Sequence, residues 1–274
     1  MKDGILFSIL IANYNNSVFL NDCIQSILNQ TYQNFEVIFV DDCSTDNSIE
    51  EYKRIVGSDV RFKSYTNKIN KGCGYTKAKC ANLATGDILA FLDPDDVLLE
   101  TALMKMVEQH KIHMDVSIVS SQYYECDKHL KIHRIVTSKK KRDNFISQLD
   151  TPFSITHFAS FKKEAYKKSG GIDTYMKRAV DQDLYFKMEE QGSVLFIDEP
   201  LYKYRMNNNS ISLNDNNYKA IGWHMYAIMN ACKRRNLDYD CYCDILKPKH
   251  IQKYALWFEK TLVNIRNFFL YFNK

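Results

Sequence analysis

Short apolar runs alternate with amphipathic stretches along the N-terminal part of the chain. The run Ile5–Ala12 is nearly continuous in apolar side chains, which is typical of a strand buried on both faces of a sheet. Glu36–Val40 and Ile88–Leu92 have the same character, and Val60–Tyr65 is a weaker candidate strand. Between them, apolar residues recur at helical spacing, and Ser17 is a plausible N-cap of the first of these helices. This order predicts an α/β fold with a mostly parallel central sheet flanked by helices.

Three of the predicted strands end in polar or acidic residues. These ends are Asn13-Tyr14-Asn15, Asp41-Asp42 and Asp93-Pro94-Asp95-Asp96. Because open parallel sheets bind ligands beyond the carboxyl ends of their strands, the three ends are expected to converge on one crevice. Carboxylate oxygens suit magnesium and manganese, and magnesium keeps coordination positions for substrate phosphates. The pattern therefore indicates a metal and phosphate site.

A simpler interpretation stays open for each strand end. Asp41-Asp42 also suits a turn, and Asp95 or Asp96 could cap a helix that begins near Val97. Tyr14 is placed to stack on a base, and the alternative is a partly buried surface tyrosine.

The pattern after residue 115 is mixed. Val116–Ser120 and Val194–Ile197 are candidate strands, and the last third is helical. Lys139–Arg142 is interpreted as a solvated surface turn rather than a binding patch. His129 and His133 have the spacing of a chelating pair on a helix, but no carboxylate partner is in register.

Composition narrows the class of protein. The 274 residues carry a formal net charge of only +4 and no nucleic-acid motif, so a nucleic-acid partner is not expected. The 8 cysteines form no Cys-x-x-Cys pair, which favours reduced, partly buried thiols. Met1–Gly4 leads directly into the first strand, and no apolar run reaches the ~18 residues that span a bilayer. We therefore expect a cytoplasmic protein without a signal peptide.

Further short motifs follow one another along the chain. They are Ser8–Asn15, Ser26–Tyr32, Val40–Asp46, Asn70–Gly72, Ala84–Asp96, Ser169–Asp173, Val180–Leu184, Tyr204-Arg205 and Ser210–Ser212. In this order they resemble the family 2 glycosyltransferases over roughly residues 5–212. The chain departs from the family where Ala12 replaces Pro or Thr, Cys43 replaces Gly and Val180 replaces Glu. Lys79 stands where the family often has Arg.

The resemblance implies a GT-A-like nucleotide-binding domain and a single-displacement, inverting reaction. A sugar would pass from a nucleotide-diphosphate donor, most often a UDP-sugar, to a hydroxyl of a glycan or lipid-linked acceptor, as in bacterial surface polysaccharide synthesis. The resemblance assigns manganese or magnesium to Asp95 with Asp93, and it makes Asp181 the general base. For Asp181, a helix cap before Leu184 is the alternative.

The resemblance also implies a set of donor-binding residues. Those at the nucleotide end are Ala12, Asn13, Tyr14, Asp41 and Asp42. Asp93 lies at the diphosphate end. Lys79 either contacts a phosphate or lies on a solvated helix face, and Arg205 orders the acceptor or phosphate side of the site.

The domain organisation follows from the same motifs. We expect a catalytic domain at 1–215, with a nucleotide-sugar half at 1–96 and an acceptor half at 97–215, and a helical extension at 216–274. Within the extension, the apolar face of 251–272 either packs on the catalytic domain or rests on the inner face of the cytoplasmic membrane, close to a lipid-linked acceptor. Trp223-His224 either shapes the acceptor site or serves helix packing.

Two other classes of protein are alternatives to a glycosyltransferase. A nucleotidyltransferase would have a glycine-rich phosphate loop after the first strand, and Ala12–Asn15 contains no Gly. A non-catalytic relative, acting as a binding or scaffold module, is supported by Val180. The intact Asp95 and Asp181 argue against it.

Overall fold

The computed structural model describes residues 4–137, 145–146, 155, 157–206 and 217–238. The chain divides into two compact units, Met1–Ala231 and Cys232–Lys274, and the described strands all belong to the first. The strands are β1 Phe7–Asn13, β2 Phe35–Asp41, β3 Phe62–Thr66, β4 Ile88–Phe91, β5 Val97–Leu98, β6 Val116–Cys126, β7 Ile132–Val136, β8 Phe145–Ile146, β9 Ser160–Lys162 and β10 Ser193–Arg205. The helices are α1 Leu20–Leu28, α2 Ser48–Val56, α3 Cys73–Leu83, α4 Ala102–Ile112, α5 Lys163–Lys168, α6 Val180–Glu189 and α7 Asn217–Arg234.

The described strands form one sheet with the path β3-β2-β1-β4-β9-β6-β10-β5, while β7 pairs with β6 and β8 with β10. Strands β3, β2, β1 and β4 run parallel to one another. Strand β9 is antiparallel to both β4 and β6, so it joins this parallel half to the parallel pair of β6 and β10. The predicted α/β fold is confirmed, with a parallel N-terminal half and a mixed remainder.

The apolar core explains why the first strands are continuous apolar runs. Every residue of β2 is buried, because helices cover both faces of this part of the sheet. Phe39 of β2 stacks on Tyr52 of α2, with ring centroids 4.0 Å apart. Each fully buried side chain of this kind stabilises the fold by roughly 1.5–3 kcal/mol.

A buried carboxylate, Glu36, ties the amino-terminal ends of the strands together. Its Oε1 accepts hydrogen bonds from Ser8 Oγ at 2.7 Å and Thr85 Oγ1 at 2.9 Å. Its Oε2 accepts one from Lys63 Nζ at 2.7 Å. Burial opposes the charge, but these hydrogen bonds outweigh burial and lower the pKa of Glu36 to about 2.

We expect Glu36→Gln to lower the free energy of unfolding by about 2–3 kcal/mol at neutral pH. Since the pKa of Glu36 is lower in the folded chain, its contribution is present above the unfolded pKa of about 4.3 and is lost as the pH falls towards 2. Urea unfolding between pH 7 and pH 3 measures both effects. Glu50→Gln, on the exposed side of α2, is the control. An unchanged pH dependence in Glu36→Gln would contradict the assignment.

Two helix starts differ from the sequence prediction. Helix α1 begins at Leu20 rather than near Ser17, whose backbone N–H instead donates to Asp46 Oδ2 at 2.9 Å. No helix begins near Val97, because the chain enters β5 there and α4 starts only at Ala102. The helix-cap interpretation of Asp95 and Asp96 is therefore wrong.

Other local predictions differ as well. Strand β10 continues past Pro200 to Arg205 beside β6, with register shifts around Pro200. His129 and His133 do not share a helix, since His133 lies in β7.

Three segments named in the sequence analysis lie outside the described residues. They are Lys139–Arg142, Ser210–Ser212 and residues 251–272. Among the helices that the structure describes, none is long and apolar enough to cross a membrane.

Candidate active site

The carboxyl ends of β1, β2 and β4 lie side by side. Strands β1 and β2 pair in register down to Asn13 and Asp41, and the Asp42 backbone N–H donates to the Asn13 carbonyl at 2.8 Å. Strand β4 pairs with the other side of β1 and ends shortly before Asp93. The three polar strand ends therefore meet at one edge of the sheet.

Asp41 is buried and holds the loop that follows β2. Its Oδ1 accepts hydrogen bonds from Asn13 Nδ2 at 2.8 Å and Ser44 Oγ at 2.6 Å, and its Oδ2 accepts one from the Ser44 backbone at 2.8 Å. In this loop Cys43 has φ 63°, a left-handed conformation that glycine adopts without strain. This conformation explains why the family that the sequence resembles has a Gly where this chain has Cys43.

Asp42 holds the loop that precedes α3. Its Oδ1 accepts hydrogen bonds from Asn67 Nδ2 at 2.7 Å and the Lys71 backbone at 2.8 Å, and its Oδ2 accepts one from the Gly72 backbone at 2.7 Å. Lys79 Nζ donates to Asn67 Oδ1 at 2.7 Å, so Lys79 braces this loop through Asn67. The carboxylates of both strand-end aspartates thus order the loops around the crevice.

The side chains at the end of β1 differ in their accessibility. Asn13 is buried, Ala12 is half-buried and Tyr14 is 46% exposed. The exposed ring of Tyr14 is therefore available to a ligand, whereas Asn13 acts on the loop through Asp41.

The three carboxylates of the acidic motif at 93–96 have different surroundings. Asp96 is buried, and it accepts hydrogen bonds from the Tyr202 hydroxyl and from a backbone N–H of β10 at 2.7 Å. Burial, with Asp95 and Asp93 nearby, raises the pKa of Asp96 well above its ordinary value. Asp93 and Asp95 are half-buried, so these two carboxylates of the motif are accessible to a bound group.

Arg205 fixes the backbone of the acidic motif. Its buried guanidinium donates to the Asp95 carbonyl at 2.7 Å, to the Lys128 carbonyl at 2.7 Å and to Asp22 Oδ2 at 2.8 Å. The guanidinium carbon also lies 4.9 Å from the centre of the Phe19 ring. These contacts hold the motif against α1 and against the loop after β6.

A buried lysine joins the acidic motif to Asp181. Lys77 Nζ, on α3, donates to both carboxylate oxygens of Asp181 at 2.9 and 2.7 Å, and it lies 3.3 Å from Asp93 Oδ1. The Lys77 side chain is only 7% exposed, and an unpaired ammonium at that depth would be costly. Asp181 lies in the first turn of α6, where no side chain caps the helix.

The pKa values of Asp181 and Lys77 are both raised, but for different reasons. Burial raises the pKa of Asp181, Lys77 opposes this effect, and Asp93 adds to it, so the pKa stays above its ordinary value. A carboxylate with a raised pKa is a better proton acceptor. Burial would lower the pKa of Lys77, but attraction to Asp181 and Asp93 raises it, which keeps the ammonium charged.

A second lysine anchors α6. Lys187 Nζ lies 2.8 Å from Asp183 Oδ2 and 3.0 Å from Asp173 Oδ2, and it donates to the Gly171 carbonyl at 3.1 Å. These contacts connect α6 to the residues before it and fix the helix that carries Asp181.

Gly74 fixes α3 against the turn that leads into α6. Its backbone N–H donates to the Met176 carbonyl at 3.1 Å, and a Cβ at this position would lie 2.4 Å from that oxygen. A glycine is required for this close approach. The distance between Lys77 and Asp181 is therefore set by direct backbone packing.

The ring of His157 lies near Asp93 and Lys77. It stacks on Tyr204 with ring centroids 4.0 Å apart and meets the edge of Tyr123 at 4.6 Å. Burial lowers the pKa of His157 to about 4, so the ring is neutral at neutral pH. No feature of the sequence singled out this residue.

Asp93 and Asp95 fit the protein's share of a magnesium or manganese site. Within the described part of the chain, no group of three or more His, Cys, Asp or Glu side chains could hold a metal ion. Magnesium is usually bound by one or two carboxylates, while substrate phosphates and water complete its coordination. Two accessible carboxylates therefore match a cation that is shared with a diphosphate.

The family resemblance points to Lys79 on α3, whereas the structure shows that Lys77 is the lysine that contacts Asp181. A signal for Lys77 was present, because it shares one helical face with the buried residues Cys80, Ala81 and Ala84. A lysine on a buried face requires an acidic partner. The identity of that partner depends on the tertiary structure.

Comparison with known proteins gives matches to glycosyltransferases. The model of a family described as glycosyl transferase family 2 matches residues 8–170. An uncharacterized glycosyltransferase of Haemophilus influenzae is 37% identical over 142 residues, which cover 50% of this chain and 55% of that protein. The Escherichia coli UDP-Glc:α-D-GlcNAc-diphosphoundecaprenol β-1,3-glucosyltransferase WfgD is 30% identical over 138 residues, which cover 50% of this chain and 53% of that protein. The chain thus matches about half the length of these two relatives.

A solved structure shares the fold. The crystal structure of Staphylococcus aureus TarS 1–349 in complex with UDP superposes with a TM-score of 0.69 at 18% identity, covering 92% of this chain and 75% of that chain. The likeness identifies the sheet and its flanking helices as a GT-A fold. The family match includes the three polar strand ends, the acidic motif among them, and it stops before Asp181. Since that match covers more than half of the chain, the protein belongs to glycosyl transferase family 2 and is a glycosyltransferase.

Proposed function

We propose that this glycosyltransferase moves a sugar from a UDP-sugar to a hydroxyl of a glycan or lipid-linked acceptor, with inversion at the anomeric carbon. The observation that carries the proposal is the Lys77 ammonium between Asp181 and Asp93. One ammonium thus reaches both the candidate base and a carboxylate of the candidate diphosphate site. The UDP bound in TarS and the lipid-linked acceptor in the name of the E. coli relative support this substrate class.

The reaction needs a proton acceptor and a stabilised leaving group. The acceptor hydroxyl loses its proton to the Asp181 carboxylate while its oxygen bonds to the anomeric carbon. The bond from that carbon to the diphosphate breaks on the opposite face, and its electron pair leaves with the diphosphate. Lys77 lies beside Asp93, where its charge favours the departing diphosphate. Asp93 and Asp95 would hold a divalent cation, whose positive charge would stabilise the same leaving group.

The other donor-binding residues have two kinds of proposed role. Tyr14 is the exposed ring that stacks on the uracil base, next to Ala12 at the end of β1. Asn13, Asp41 and Asp42 shape the nucleotide pocket through the loops that they hold. Lys79 and Arg205 act indirectly, because their cationic groups are already bonded to Asn67 and to the backbone of Asp95, respectively.

The organisation of the chain belongs to the same proposal. Residues 1–96 bind the donor and residues 97–215 the acceptor, with 216–274 as a helical extension. The enzyme acts in bacterial surface polysaccharide synthesis on the cytoplasmic side of the membrane, where lipid-linked acceptors are available.

A donor screen tests the proposal. We expect one UDP-sugar to release nucleotide in the presence of manganese or magnesium, and EDTA to stop the release. Asp95→Ala should slow it about tenfold or more, because the leaving diphosphate then loses part of its stabilisation. Released nucleotide is measured for a panel of nucleotide-sugars, with Glu50→Ala, an exposed carboxylate on α2, as the control. Equal release with EDTA would contradict the metal assignment, and calorimetric donor binding without any turnover would indicate a binding module.

A further inference from the structure

An aromatic cluster, formed by the exposed Tyr175 and the half-buried Trp223 and Tyr226, includes the turn that leads into α6. Tyr175 is 55% exposed, yet its hydroxyl lies 2.8 Å from the Tyr226 hydroxyl and donates to Asp173 Oδ2 at 3.3 Å. Trp223 meets Tyr226 edge-on, with ring centroids 5.8 Å apart. Trp223 and Tyr226 are on the same face of α7. The exposed Tyr175 ring is thus fixed in orientation without filling the apolar core.

The cluster is next to the candidate active site. The turn that contains Tyr175 rests on the first turn of α3 through the contact between Gly74 and Met176. One helical turn further along α3, Lys77 holds Asp181. The same turn leads directly into α6, which carries Asp181 in its first turn. The aromatic cluster therefore adjoins the segment that leads into the helix of the candidate base.

We propose that the aromatic cluster binds the pyranose ring of the acceptor sugar. This inference rests on the proposed function, since it takes Asp181 as the base that the acceptor hydroxyl must reach. A pyranose has a face of C–H groups and a rim of hydroxyls. Fixed aromatic rings bury such a face, and polar groups at the edge of the rings bond the hydroxyls. Here the Asp173 carboxylate, whose side chain is 35% exposed, and the two tyrosine hydroxyls form that edge.

Binding can be followed through Trp223 itself. The chain has 2 tryptophans, Trp223 and Trp257, so a Trp257→Phe variant reports on Trp223 alone. In this variant, with UDP present, the methyl β-pyranosides of glucose, galactose and N-acetylglucosamine are titrated. We expect a saturable change in Trp223 emission with at least one of them. Tyr175→Ala should weaken that affinity about tenfold, as for the loss of one aromatic contact, and Tyr175→Phe should weaken it less. No change with any of the three sugars would overturn the proposal.

A second measurement separates this inference from the proposed function. The pyranoside that binds is then used as the acceptor, and two rates are measured: sugar transfer to the pyranoside and sugar transfer to water. The ratio of the first rate to the second is compared between Tyr175→Ala and Tyr175→Phe. We expect this ratio to be about tenfold lower in Tyr175→Ala than in Tyr175→Phe. An unchanged ratio, in an enzyme that releases nucleotide from its donor, would overturn the inference and leave the proposed function intact. A Trp223 response without donor turnover would instead contradict the proposed function and retain the sugar site.

Discussion

Asp181→Asn is expected to slow sugar transfer by about 10²–10⁴-fold, the usual contribution of a general base. The amide keeps nearly the size and shape of the carboxylate but does not accept the proton of the acceptor hydroxyl. Donor affinity should change little, because the proposed donor ligands lie on β1, β2 and the acidic motif. Transfer rates and donor binding by calorimetry, measured on the same preparation, check both parts.

The control for this variant is Glu50→Gln, which makes the same chemical change on an exposed part of α2. Thermal unfolding of Asp181→Asn should be measured as well, since the amide also loses its ion pair with Lys77. Turnover close to that of the unmodified enzyme would exclude Asp181 as the base.

Lys77→Met is the second change with a large expected effect. It leaves Asp181 and Asp93 close together in a partly buried site without the cation that pairs with both. Breaking a fully buried pair costs about 3–5 kcal/mol. We expect the lower end of this range, because the side chains of Asp181 and Asp93 remain 31% and 45% exposed. Urea unfolding measures the loss.

The same substitution should move the pH dependence of transfer. Burial and Asp93 raise the pKa of Asp181, and Lys77 opposes them. Without Lys77 the pKa rises further, so the base is protonated at a higher pH. The acidic limb of the pH–rate profile should therefore shift to higher pH in Lys77→Met. Lys77→Arg keeps a cation, so its acidic limb should shift less.

Lys79→Met is the matched control, since it removes an ammonium two residues further along α3 that contacts Asn67 rather than a carboxylate. It should leave the acidic limb in place. An unshifted limb in Lys77→Met, together with unchanged stability, would show that Lys77 does not set the charge of Asp181.

The sequence determined the parallel half of the sheet and the place of the acidic strand ends. This follows from local physics, since a continuous apolar run suits a strand covered on both faces, and parallel strands bring their carboxyl ends to one edge. The ordered motifs also indicated the family, which the comparisons confirm. The roles of Asp95 and Asp181 remain predictions that the experiments above test.

Only the tertiary structure decided how the individual carboxylates are used. Asp93, Asp95 and Asp96 are equivalent in a linear pattern, but Asp96 turns inward to Tyr202 and β10 while the other two stay accessible. Lys77 and Asp181 are 104 positions apart, and no periodicity within either helix relates them. Their pairing arises because Gly74 brings α3 against the turn before α6, and a buried charge is tolerated only where the fold supplies its partner.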